Sequence, residues 1–116
     1  REKVSGYIGS NPMKIKEKDG TILEVFAIYW LGNETLFLGL PKNYGGLLAY
    51  NAKNVQVIDS TLHGTFNYFS THINGIYHWA LIEERLLDDI LERDDIAYNR
   101  FLDILKAEGR IDPDFY

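Results

Sequence analysis

Polar and apolar positions along the chain change period near residue 80. From Met13 to about residue 81, short apolar runs alternate with turn pairs, the signature of β-strands joined by hairpins. Met13 to Lys18 leads into Asp19-Gly20, read as a two-residue hairpin turn, and then into Thr21 to Leu31. That segment puts Leu23, Val25, Ala27 and Tyr29 on one face and Ile22, Phe26, Ile28 and Trp30 on the other. Both faces are apolar, so it is expected to be a central strand covered on two sides. Gly32-Asn33, with glycine first, fits a mirror-type turn into Glu34 to Leu40. The loop Pro41 to Gly46 follows, then strands at Leu47 to Tyr50 and Val55 to Asp59.

Thr65 to Ile73 and Ile76 to Leu81 flank Asn74-Gly75, the strongest hairpin signal in the chain. A two-residue turn there sets Ile73 opposite Ile76 and Tyr68 opposite Leu81, with Tyr68, His72, Tyr77 and Trp79 sharing a face. The competing reading of 65–81 starts a helix near Asn74 and runs it through Trp79 and Ile82. The β-branched and aromatic content and the poor helix-forming tendency of Asn-Gly favour the hairpin.

From Ile82 the period is helical. Leu86, Leu87, Ile90 and Leu91 form one apolar stripe, and Ala97, Tyr98, Phe101, Leu102 and Leu105 a second. Asp94 or Asp95 is placed to cap a new helix, and Gly109 to end it before Pro113. A break at Glu92 to Asp95 or one continuous helix both fit. The pattern predicts an α+β fold: a mostly antiparallel sheet of hairpins over about 13–81, packed by one or two C-terminal helices over about 82–108.

At 116 residues, with 46% hydrophobic positions, the chain has enough apolar material for one self-sufficient domain spanning 1–116. Cysteine is absent, which rules out disulfides and thiol chemistry and suits a reducing, cytoplasmic setting. No apolar run is long enough for a membrane helix. Net charge changes the picture more. The segment Glu83 to Asp95 (EERLLDDILERDD) holds seven acids and two bases and so carries the whole net charge of −5, while the remaining acids and bases cancel.

Catalytic chemistry has little to stand on. His63, His72 and His78 sit in no compact metal-ligand pattern, and no nucleophile elbow, P-loop or dinucleotide fingerprint is present. His72 beside Tyr77 and Tyr68 is the best-placed acid or base, although each histidine reads more simply as structural. Glu84, Asp88, Glu92 and Asp95 recur at intervals that line carboxylates along one helical face, with Arg85 and Arg93 spaced to pair with acids on the same helix. A hard cation needs convergence from a second element, so neither a metal nor any other cofactor is expected. The scattered bases argue against direct nucleic-acid binding, and Lys14, Lys16 and Lys18 read as charges guarding an exposed strand edge.

An acidic helix face beside aromatic side chains suits a basic protein partner, since complementary charge speeds encounter and aromatic rings supply contact area. Glu84, Asp88, Glu92 and Asp95 would contribute charge, and Tyr44 and Tyr98 aromatic anchors. A small, acidic, cysteine-free domain without a catalytic motif resembles, in physical type and through no shared motif, the immunity proteins that bacteria make against their own nuclease toxins. The resemblance implies a non-enzymatic immunity or antitoxin protein whose partner is a basic, nuclease-like toxin. The alternatives are an accessory or regulatory domain of a larger protein, which the non-Met start suits, and a small enzyme holding a metal on its C-terminal helices.

Overall fold

The computed structural model describes residues 13–70 and 73–116. Seven strands form one antiparallel sheet among them: β1 (Met13–Glu17), β2 (Ile22–Leu31), β3 (Glu34–Gly39), β4 (Leu48–Asn51), β5 (Val55–Asp59), β6 (Phe66–Ser70) and β7 (Asn74–His78). Helices α1 (Trp79–Glu83), α2 (Leu87–Leu91) and α3 (Asp95–Ala107) follow. The architecture is therefore the expected α+β, with an antiparallel sheet and C-terminal helices. No helix among the described residues is long and apolar enough to cross a membrane.

The ten-residue β2 organises the sheet. One of its edges carries β3. The other is shared end to end by β1, opposite Ile22 to Val25, and β7, opposite Ala27 to Trp30. Beyond these lie β4 outside β3, β5 outside β1 and β6 outside β7. Strand β1 is thus paired on both sides, and its lysines do not guard an edge.

A bulge in β2 corrects the simple alternation. Val25 faces Gly39 and Ala27 faces Leu38, which leaves Phe26 as the extra residue. Val25, Phe26 and Ala27 are consequently buried in succession, and the strand exchanges its faces at this point. Leu23, Val25 and Ile28 pack with Met13, Ile15 and Phe37 in a smaller core on one side of the sheet. Phe26 and Ala27 belong to the larger core under the helices, with Leu38, Tyr98 and Phe101.

Two turns also differ from the two-residue expectation. Lys18 to Gly20 form a three-residue loop: Gly20 N–H donates to Glu17 O at 2.9 Å, and Gly20 takes the left-handed position at φ 95°. The last β6–β7 pair is Ser70 with Asn74, so Asn74-Gly75 lies within β7 instead of forming the turn. Gly75 serves packing there. A Cβ at that position would fall 2.7 Å from Tyr29 Cβ and 2.9 Å from Ile28 O, closer than β7 could otherwise approach β2. The register slips by an odd number of residues, so Tyr68 faces Ile76 and lies on the opposite side of the hairpin from Tyr77. The expected shared face of Tyr68 and Tyr77 does not form, and His72 lies outside the described residues. Gly32-Asn33 is the two-residue turn expected, with Gly32 at φ 62°.

The helical region is divided into three elements by Arg85 and Arg93, both in the left-handed region at φ 56° and 60°. Asp94 caps α3, its Oδ2 accepting from Ala97 N–H at 2.9 Å, and Gly109 at φ 72° follows its end. The two breaks let Ile90 of α2 and Phe101, Leu102 and Leu105 of α3 all face the sheet.

Candidate functional site

Because α1, α2 and α3 are separate, the four carboxylates do not share one helical face. Glu84 is the C-cap of α1, Asp88 lies on α2, Glu92 is the C-cap of α2 and Asp95 opens α3. Glu84 is already engaged: Arg100 of α3 donates Nε–H to its Oε1 and an Nη2–H to its Oε2, both at 2.8 Å. The hydrogen bonds from Arg100 hold its carboxyl below the usual range. The side chains of Asp88, Asp89, Glu92 and Asp95 are exposed and make no hydrogen bond or ion pair among the described residues.

Among the described residues, neither Arg85 nor Arg93 forms the expected intrahelical pair. Arg93 instead lies over the Tyr44 ring, 4.8 Å from its centroid. This contact brings the loop after β3 against the start of α3, and Tyr44, Glu92, Arg93, Asp95 and Tyr116 line an open cleft of about 300 Å³. Three of the six expected contact residues therefore meet: Tyr44, Glu92 and Asp95. Tyr98 does not join them. It is fully buried, packed edge-on to Tyr116 at 5.3 Å, and burial pushes its phenol up to about 12, so it is a core residue and offers no contact surface.

Asp88 stands on the rim of a different feature, an apolar groove of about 390 Å³ between α2 and the β6–β7 hairpin. Its walls include Phe69, Tyr77, Leu87 and Leu91. Leu91 is 45% exposed and Ile96, beside Asp95, is 82% exposed. These two apolar side chains among unpaired carboxylates are the part of the site that the sequence reading missed. Ile96 falls outside the second stripe, and that was the available signal; Leu91 was counted within the first stripe and carried none. Among the described residues, no three acidic or histidine side chains converge to hold a metal.

A second polar constellation, partly buried, lies on the helix side. Glu108, just past α3, accepts His78 Nε2–H at 2.8 Å and Trp79 Nε1–H at 2.7 Å. His78 Nδ1 accepts Ala80 N–H at 3.1 Å and so caps α1, which assigns the ring proton to Nε2. The rings of Phe26, Phe66 and Phe101 stand edge-on around this imidazole. Arg110 Nε lies 3.5 Å from Glu108 Oε1, and its guanidinium folds over Gly64, where a Cβ would fall 1.9 Å from Nη2. Burial pushes the Glu108 carboxyl up, but the hydrogen bonds from His78 and Trp79 and the nearby Arg110 charge together hold it below its ordinary value. With His78 only 2% exposed, no substrate reaches this histidine. The cluster is a clamp that ties the C-terminal turn to the β7–α1 junction.

No family model, no curated protein and no solved structure matches this chain.

Proposed function

We propose that this protein is a non-enzymatic binding module whose acidic end, formed by α2 and the first turn of α3, docks on a basic protein. The observation that carries this reading is the placement of Ile96 and Leu91, 82% and 45% exposed, among the unpaired carboxylates of Asp88, Asp89, Glu92 and Asp95. Burying the two apolar side chains against a partner would remove their contact with water. The carboxylates around them would select a surface of the opposite sign. Tyr44, held by Arg93 at the neighbouring cleft, supplies a rigid aromatic contact. Glu84 is left to its pair with Arg100, and the interface centres on Asp88, Glu92, Asp95, Tyr44, Leu91 and Ile96.

The specific form of this reading is cytoplasmic immunity to a nuclease-type toxin, whose phosphate-binding cleft offers the clustered positive charge such a surface complements. The protein is used as bait in cells of its native source, and the captured basic protein is assayed for cleavage of RNA and DNA. Cleavage that falls stoichiometrically as the bait is added back is the expected result. A captured basic partner with no nuclease activity would remove the immunity reading and leave the docking surface standing.

A further inference from the structure

Among the described residues, strand β6 is an outer strand without the protection that outer strands usually carry. Its sequence, Phe66-Asn67-Tyr68-Phe69-Ser70, has no charge and no proline, and its pairing with β7 contains no bulge. The other outer strands differ: β4 has four residues, and β5 carries Asp59. Tyr68 is 64% exposed and Phe69 36%.

The direction of the β6 main chain can be assigned. Trp79 N–H donates to Thr65 O at 3.0 Å, which continues the β6–β7 register as a hydrogen-bonded pair. Antiparallel pairs alternate, so Asn67 and Phe69 turn their backbone groups toward β7, whereas those of Phe66, Tyr68 and Ser70 point out from the sheet. Those outward N–H and C=O groups have no partner among the described residues.

We propose that β6 is a self-association edge, on which a second copy of this chain adds its own β6 antiparallel about a two-fold axis through Tyr68. Tyr68 then faces Tyr68 of the second copy, and Phe66 faces Ser70. All of these residues have outward backbone groups, so each opposed pair exchanges both N–H···O bonds. A second copy is the occupant that the charges favour. The net charge of −5 is concentrated in 83–95, so two copies meeting there would repel; a two-fold contact opposes like with like and is favoured on an uncharged segment such as β6. Phe69 of each copy meets Asn67 of the other. Asn67 donates to Glu83 Oε2 at 2.8 Å, so the carboxylate nearest this strand is already engaged within its own copy.

The test uses position 68 as its own partner. Sedimentation over a range of concentrations should show wild type passing from one chain to two, and amide exchange at Tyr68 should slow as two-chain species form. Tyr68→Lys and Tyr68→Glu each oppose like charges across the axis and lose the ring pair, so each alone should associate about tenfold more weakly. Mixed together, they should regain a two-chain species that neither forms alone. Circular dichroism and thermal unfolding of dilute samples establish that both variants are folded. The proposal is overturned by wild type that stays single at every concentration. It is equally overturned by association that neither variant weakens, or by a mixture no tighter than its components.

Discussion

Phe26→Ala is expected to cost about 3 to 5 kcal/mol of folding free energy, a large share of the roughly 5 to 15 kcal/mol that holds a domain of this size. Phe26 is 1% exposed and its ring stands edge-on to Phe101 at 5.6 Å and to His78 at 6.0 Å. Truncation removes both contacts and leaves a cavity beneath α3. The bulge pins the backbone at this point, which limits how far the surroundings can collapse into it. In urea unfolding the midpoint should fall while the slope is unchanged. Ile22→Ala, on the same strand but 54% exposed, should shift stability by no more than about 0.5 kcal/mol. Equal effects at the two positions would contradict the burial of Phe26 beneath the helices and the exposure of Ile22.

Breaking the Glu108 clamp should rank next. Glu108→Ala leaves the buried His78 Nε2–H without an acceptor, hands the exposed Trp79 Nε1–H to water, and leaves Arg110, whose side chain is 9% exposed, without its nearby charge. The expected loss is about 3 kcal/mol. Glu108→Gln should fall between this variant and wild type, because an amide has one oxygen to offer two donors. The carboxyl titrates below its ordinary value in the fold, so its contribution is fully present above the ordinary value near 4.5. It is lost as pH falls through the depressed folded value. Glu24 acts in the opposite sense: burial raises its carboxyl, so its contribution improves as pH falls through that raised value. In wild type the two partly offset. Removing the Glu108 charge should therefore flatten the acid limb of a stability-against-pH curve. An acid limb identical in wild type and Glu108→Gln would show that the clamp does not depend on the ionised carboxylate.

The meander of the first three strands was legible because each of its signals had a single use. An apolar β2 needed cover on both faces, and Gly32 had only a turn to make. Asn74-Gly75 misled because glycine answers two different needs. Here its missing Cβ admits β7 against Tyr29, and the last β6–β7 pair, Ser70 with Asn74, leaves Asn74-Gly75 inside the strand. The bulge at Phe26 left no mark in a strand that is apolar throughout from Val25 to Leu31. Of the two helix breaks, the one before α3 was legible through Asp94 as a cap, whereas the one at Arg85 was not, since an arginine in the left-handed region carries no sequence signature of the kind glycine or asparagine would. Once the chain turns at Arg85 and Arg93, spacing measured along a continuous helix no longer describes where the carboxylates stand.

Tyr98 was legible in part. Its place in the stripe with Phe101 and Leu105 marked it as core, and that pattern outweighs the general affinity of tyrosine for interfaces. The convergence of Tyr44 with Glu92 and Asp95 depends on a loop meeting a helix, as the Glu108 clamp depends on contacts across some thirty positions of sequence. Local periodicity reports neither.

The central claim is that the acidic end of the molecule steers a basic protein onto Leu91 and Ile96. Its most direct test is the rate of association with the captured partner, measured against ionic strength for wild type and for the Asp88→Lys, Glu92→Lys double variant. Exposed charges of this kind contribute only about 0.2 to 1 kcal/mol to folding, so the variant should remain folded and any loss of binding is a loss at the surface. Slower association and a shallower salt dependence in the variant are the predicted result, since rim charges act on encounter and their field is screened by salt. Superimposable salt dependences for the two proteins would contradict the claim and leave these carboxylates as a solvated surface.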